Sequence, residues 1–124
     1  MAQECGPLSD EKYQKGRASL DRAVDTDGLA LLLSQQEVLM APSNGPAELI
    51  DPVWGDRRGG GRSQIAGAAA IAGYPSITVP AGLVSGLPVG ITFVARRNQD
   101  GLLLQVARAY ERAAQARIPP HLAV

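Results

Sequence analysis

The side chains that could carry out nucleophilic chemistry are few, and none has a base at a recognisable spacing. Cys5 and His121 are the only cysteine and histidine, and they lie near opposite ends of the sequence with no third group in view to orient the imidazole. Each of the seven serines needs an adjacent base, because a serine hydroxyl is otherwise a weak nucleophile. Both lysines, Lys12 and Lys15, fall on a predicted solvated helix. A small hydrolase with Ser63 as its nucleophile is one alternative, but it has no identifiable base.

A glycine run before the third predicted helix is a second candidate for chemistry. It reads Gly59-Gly60-Gly61-Arg62-Ser63, and free N–H groups at a helix start together with an arginine can hold an anion. The run lacks the spacing and the lysine of a P-loop. Glycine clusters between periodic segments are more often plain connectors, and we favour that interpretation.

Composition limits the class of protein. A length of 124 residues fits a single domain over residues 1–124. Twelve basic residues balance twelve acidic ones, so no net field favours a nucleic acid or an anionic membrane surface. A lone cysteine precludes an intramolecular disulfide, and neither an export signal nor a long apolar run is present. We therefore expect a cytoplasmic protein with no nucleic-acid or membrane partner.

The first half of the chain is predicted to contain helices followed by a strand and a loop. Residues 1–36 read as a helical hairpin, in which Ser9 caps the first helix and Asp25 to Gly28 interrupts the helical pattern. The apolar face of the first helix consists of Tyr13, Leu20 and Val24. Residues 37–62 read as a buried strand, Val38 to Ala41, and a long loop that is rich in glycine and proline.

The remainder is predicted as helix-strand-strand-helix over residues 63–118 and a tail over 119–124. The first of these helices, up to Ala72, has almost no polar face, which is typical of a helix covered on both sides. The last helix is the clearest, with an apolar stripe opposed by charged residues. Its stripe consists of Leu103, Val106, Ala107, Tyr110 and Ala114.

Alternating helices and short apolar strands predict an α/β fold, a partial α/β/α layered arrangement with a small mixed sheet and helices packed on it. Three short strands make a narrow sheet, whereas fully apolar strands and an all-small helix suit burial on both faces. We therefore interpret the chain as part of a larger sheet.

Several motifs in the second half resemble the amidase-signature family. They are AAAIAGYPSITVPAG (68–82), GLPVGITFVA (86–95) and ARAYE (107–111), in the order in which the C-terminal segment of that family has them. Upstream, LMAPSNGP (39–46) and DPVWGD (51–56) are similar to the strand and pocket loop that precede the alanine-rich helix in bacterial members. The resemblance implies a hydrolase that converts a carboxamide to a carboxylic acid and ammonia or an amine.

The same resemblance implies catalytic machinery that this sequence does not contain. Family members use a nucleophilic serine, a second serine on a cis peptide bond and a lysine, in a glycine- and serine-rich region. No Ser-Ser pair or Gly-Gly-Ser run occurs here, and no serine matches the nucleophile. We therefore predict a segment that is inactive alone, with no catalytic residues, no cofactor and no metal ion.

By resemblance, Asn44, Asp51, Trp54 and Asp56 would line one wall of the substrate pocket. A loop tryptophan beside carboxylates can form an amphipathic wall. The alternative is turn chemistry, in which the Asp and Asn residues cap turns and Trp54 covers the edge of the core.

Two functional hypotheses follow from these observations. In the first, the chain is a truncated amidase segment that needs a complementing N-terminal amidase chain, and a small amide is its substrate only in the complete enzyme. In the second, it is a non-catalytic α/β interaction or binding module, assembled as a homo-oligomer through its exposed sheet edges.

Overall fold

The computed structural model describes residues 6–47, 53 and 65–119. Within these residues it contains four α-helices, three β-strands and one π-helical segment. In chain order they are α1 (Glu11–Asp21), the π-helical segment (Arg22–Leu29), α2 (Ala30–Gln35), β1 (Val38–Pro42), α3 (Ile65–Ala72), β2 (Ser76–Val84), β3 (Leu87–Ala95) and α4 (Asp100–Ala114). The predicted order of helix, strand, strand and helix after residue 63 is confirmed. No described helix is long and apolar enough to cross a membrane.

The three described strands form one antiparallel sheet with the order β1-β3-β2. Leu39 lies opposite Val94 and Ala41 opposite Thr92 on one side of β3, and Thr78 lies opposite the same Thr92 on the other side. The prediction of a mixed sheet is therefore wrong for these strands. For β2 and β3 the reason is the short Ser85-Gly86 connection, since a tight hairpin can join only antiparallel neighbours.

The hairpin between β2 and β3 contains an irregularity that sets its register. Ser85 and Gly86 both have positive φ, 52° and 80°, as a two-residue turn between twisted strands requires. The register then shifts between Pro80 and Gly82, where Ala81 has no partner on β3. This β-bulge decides which side chains of β2 share a face with those of β3.

Helices cover both faces of the sheet, so the predicted α/β/α layering is present. On one face α4 buries Leu103 and Ala107 against Val79, Phe93 and Ala95. The opposite face holds a second core, in which the π-helical segment, α2 and α3 meet β3. Its buried members are Leu29, Leu33, Ala69, Ala72 and Val94.

The predicted helical hairpin over residues 1–36 is wrong, because the helical backbone continues from Glu11 to Gln35. Between Arg22 and Leu29 it widens into π-helix, as shown by the N–H of Ala30, which bonds to the carbonyl of Asp25. Gly28 makes this possible, since a Cβ there would lie 3.1 Å from the carbonyl oxygen of Ala23.

Asp10, and not Ser9, caps α1. Its carboxylate accepts a hydrogen bond of 2.8 Å from the backbone N–H of Lys12, two residues further along the chain. The predicted Ser9 cap is therefore one residue early.

Two helices are less covered than the sequence predicts. No residue of α1 is buried, and Tyr13 and Leu20 are 42% and 46% exposed. The alanine-rich α3 buries Ala69 and Ala72 on one side only, and Ile71 on its other side is 48% exposed. Burial of α3 on both sides is therefore not found in the described part of the chain.

Candidate functional site

The loop that follows β1 borders a mainly apolar cavity at one end of the sheet. The cavity has a volume of about 360 Å³ and opens to solvent. Its apolar walls include Val84, Val89 and Ile91, and Asn44 contributes a side-chain amide. A largely apolar recess with few polar groups is typical of small-molecule sites.

Beside this loop, three hydroxyl groups form a row across the sheet. The hydroxyl of Thr92 lies 2.6 Å from that of Ser43 and 2.8 Å from that of Thr78. Thr92 is fully buried at the centre of the row, while Ser43 is half-buried and Thr78 is exposed. The three hydroxyls have three protons, and two of these make the hydrogen bonds within the row. The third proton can be donated to an acceptor outside the row.

Gly90 allows the row to form. A Cβ at this position would lie 2.9 Å from Cγ2 of Thr78 and 3.0 Å from Oγ of Ser43. Any larger residue would therefore push apart the two outer members of the row. The backbone also holds Ser43 in place, since its N–H donates to the carbonyl of Gly90 at 2.8 Å.

A second polar cluster joins the π-helical segment to the ends of α3 and β3. The phenol of Tyr74 donates to Asp25 at 2.6 Å, and the guanidinium of Arg97 donates to the other carboxylate oxygen at 2.9 Å. The guanidinium also lies 4.7 Å from the ring centroid of Tyr74, in a cation–π arrangement. The widened π-helical turn thus places Asp25 between two partners.

The cluster shifts the titration of its members. The hydrogen bond from Tyr74, followed by that from Arg97, lowers the pKa of Asp25 below its ordinary value of 3.8. The hydrogen bond to Asp25, assisted by burial, raises the pKa of Tyr74 above 10.0. The ion pair is therefore intact at neutral pH.

Arg96 and Arg97 are exposed, and their guanidinium groups bind carbonyls at two helix ends. Arg96 donates to the carbonyl of Leu33 near the end of α2 at 2.7 Å, and Arg97 donates to the carbonyl of Ala72 at the end of α3 at 2.8 Å. Cations near helix C-termini satisfy carbonyls that have no helical partner and complement the helix dipole. Both residues also border an open recess of about 280 Å³.

The predicted site residues are only partly described. Asn44 is exposed and borders the apolar cavity, but Asp51, Trp54 and Asp56 lie outside the described residues. The described residues also exclude Cys5, His121, Arg57, Arg58 and the glycine run up to Ser63. Tyr110 belongs to the core, as predicted, where its ring contacts Phe93 edge-on at 5.5 Å.

Neither the hydroxyl row nor the Asp25 cluster is among the sites predicted from sequence. Both join residues that are far apart in the chain, since Ser43 and Thr92 are 49 positions apart, as are Asp25 and Tyr74. A partial signal does exist, because the sequence predicts strands from Ile77 to Val79 and from Val89 to Val94, which contain Thr78 and Thr92. These two threonines can be predicted to be neighbours only when the register of the hairpin is known.

None of the described contacts pairs a serine with a basic side chain. Ser43 bonds to a threonine, and Ser34 bonds to the carbonyl of Leu31. Lys15 is paired with Glu11 on the exposed surface of α1. Among the described residues no group of three or more His, Cys, Asp or Glu side chains could hold a metal ion. The described geometry offers binding surface but no activated nucleophile.

The sequence matches relatives over short stretches, and the structure superposes on solved structures over almost its whole length. No family model matches the chain. Over 48 residues, 38% of the chain, it is 56% identical to a glutamyl-tRNA(Gln) amidotransferase subunit of Syntrophus aciditrophicus. Over 99% of its length it superposes on the crystal structure of PAM12A, with a TM-score of 0.87 and 37% identity. Over 99% of its length it also superposes on the peptide amidase from Stenotrophomonas maltophilia, with a TM-score of 0.80 and 35% identity.

These similar proteins are much longer than the chain. The match covers 10% of the amidotransferase subunit, 25% of PAM12A and 24% of the peptide amidase. The chain therefore spans between a tenth and a quarter of the proteins that it resembles.

Proposed function

We propose that this chain, whose homologues and structural neighbours are amidase-signature enzymes, forms the C-terminal part of a carboxamide hydrolase and is inactive without the rest of that fold. The observation that carries the proposal is the superposition of 99% of the chain on 24% of a solved peptide amidase. In the complete enzyme, a small amide would be converted to a carboxylic acid and ammonia or an amine.

The contribution of this chain would be a wall of the substrate pocket. The apolar cavity at the end of the sheet supplies the surface, and Asn44 supplies an amide that can hydrogen-bond a polar substrate group. Asp51, Trp54 and Asp56 would continue the wall along the same loop. The nucleophilic serine and its lysine base would come from the complementary part of the enzyme, encoded with this chain or supplied by a partner chain.

The inactivity of the isolated chain follows from what hydrolysis of a carboxamide C–N bond requires. Hydrolysis of a carboxamide by a serine requires a base beside the hydroxyl and donors for the oxyanion. Both lysines lie on exposed α1, and the side chain of Lys15 is 76% exposed and paired with Glu11, so neither is a buried amine held beside a serine hydroxyl. The single cysteine is consistent with a reducing compartment such as the cytoplasm.

A chimera tests the proposal. The segment of the Stenotrophomonas maltophilia peptide amidase that superposes on this chain is replaced by the 124 residues, and release of ammonia from peptide amides is compared for the chimera and for the chain alone. We expect hydrolysis by the chimera and none by the chain alone. A folded chimera without activity would contradict the pocket role, and activity of the purified chain would contradict its inactivity.

A further inference from the structure

Asn44 is the only predicted pocket residue within the described part of the chain, and it borders the apolar cavity. It is exposed and lies two residues beyond the end of β1. A residue at this place follows the backbone of its neighbour, Ser43. The contacts of Ser43 therefore limit where the Asn44 amide can lie.

Ser43 is fixed at two points. Its backbone N–H donates to the carbonyl of Gly90 at 2.8 Å, which extends the pairing of β1 with β3 by one residue. Its hydroxyl lies 2.6 Å from that of Thr92, and Gly90, which has no side chain, leaves room for this contact. One backbone hydrogen bond alone would let Ser43 pivot about it, whereas two bonds in different directions fix its orientation.

The hydroxyl of Thr92 acts from behind the cavity wall. Successive side chains of a strand lie on opposite faces of the sheet, so Thr92 and its neighbour Ile91 face opposite ways. Ile91 borders the cavity, while Thr92 is fully buried on the other face. A ligand in the cavity can therefore contact Asn44 but cannot reach Thr92.

We propose that Thr92 is a positioning residue, which holds the amide of Asn44 at the cavity through its hydrogen bond to Ser43. The inference rests on the proposed function, in which Asn44 hydrogen-bonds a polar group of a small amide substrate. An amide that is already held in place binds this group without first ordering the loop, so the bond between Thr92 and Ser43 acts on substrate affinity. The other hydrogen bond of Thr92, to Thr78, lies on the β2 side and away from the loop.

Order parameters from ¹⁵N relaxation test the positioning in the isolated chain. We expect the backbone amide of Asn44 to have an order parameter of about 0.85 in the unmodified chain and below about 0.6 in Thr92→Val. Thr78→Val is the matched control, since it also deletes one hydrogen bond of Thr92 and should leave Asn44 ordered. Ser43→Ala deletes the same bond as Thr92→Val from its half-buried end and should loosen Asn44 equally.

The chimera described above tests the effect on the substrate. We expect Thr92→Val to raise KM for peptide amides by about five-fold and to change kcat by less than about two-fold, because binding lost equally in the ground state and the transition state appears in KM. Thr92→Ser keeps the hydroxyl and should restore KM. Val94→Ala is the control for lost stability, because Val94 is buried on the same face, two residues further along β3. It should lower Tm at least as much as Thr92→Val and leave KM unchanged.

Several results would overturn the proposal. They are a flexible Asn44 in the unmodified chain, an equal loss of order in Thr78→Val, or a rise in KM that Thr92→Ser does not reverse or that Val94→Ala reproduces. The two experiments also separate this proposal from the proposed function. A folded chimera without activity contradicts the pocket role of the chain, whereas an Asn44 that stays ordered in Thr92→Val refutes the positioning role alone.

Discussion

Replacing Thr92 with valine should destabilise the chain although the two residues have nearly the same shape. Thr92 is fully buried and holds the hydroxyls of Ser43 and Thr78 at 2.6 and 2.8 Å. Each hydrogen bond contributes about 1 kcal/mol net, and both are lost. Ser43 is half-buried and Thr78 exposed, so water can replace part of the loss. We expect Thr92→Val to lower the free energy of unfolding by about 1–2 kcal/mol, or Tm by roughly 3–10 °C.

Urea denaturation followed by circular dichroism measures this loss, and a double-mutant cycle locates it. Ser43→Ala alone removes one of the two hydrogen bonds and should cost about half as much as Thr92→Val. In the Thr92→Val background the same change should cost almost nothing, because the partner hydroxyl is already gone. If Thr92→Val stays within about 0.5 kcal/mol of the unmodified chain, or if the two losses simply add, the hydroxyl row does not stabilise the sheet in the way described.

Three further changes test other parts of the structure. Asp25→Asn removes the ion pair with Arg97. Because the folded pKa of Asp25 lies below its unfolded value of 3.8, the stabilisation by this pair is present above pH 3.8 and is lost as the pH falls. Tm measured from pH 7 to pH 2 should therefore fall less steeply for the variant than for the unmodified chain. Leu33→Ala, at a side chain that is 1% exposed, should cost about 2–5 kcal/mol in urea denaturation. Gly90→Ala should cost about 1–3 kcal/mol in the same assay, since its methyl group would lie 2.9 Å from Thr78, and a neutral result would mean that the strands move apart freely.

The elements with a strong local pattern can be predicted from sequence. The apolar stripe predicted for α4 is confirmed from Leu103 to Tyr110, with Leu103 and Ala107 among the most buried residues, whereas Ala114 is exposed. The predicted end of α3 is also confirmed, since Gly73 has a φ of 72° and follows the helix directly. In both cases the signal lies within a few residues, where side-chain period and glycine conformation act.

The long helical run is not predicted from sequence because its cause is tertiary. Asp25 and Gly28 are typical helix interrupters, and the sequence alone favours a turn between them. In the fold, Asp25 has partners in Tyr74 and Arg97, and Gly28 allows the wider π-helical turn. These contacts come from residues 49 and 72 positions away, so no local pattern contains them.

The hydroxyl row of the candidate site depends on one extra residue in a strand. Counted from the Ser85-Gly86 turn without a bulge, Thr78 would lie opposite Phe93 and on the wrong face of the sheet. The bulge at Ala81 moves it opposite Thr92. A one-residue shift of this kind cannot be derived from composition or alternation.

Intact-protein mass spectrometry tests the central claim most directly. The chain alone and the peptide amidase chimera are each incubated with an activated amide and quenched before turnover is complete. We predict no acyl adduct on the chain alone, and in the chimera an adduct on a serine outside these 124 residues. An acyl group attached to any residue of this chain would contradict the account.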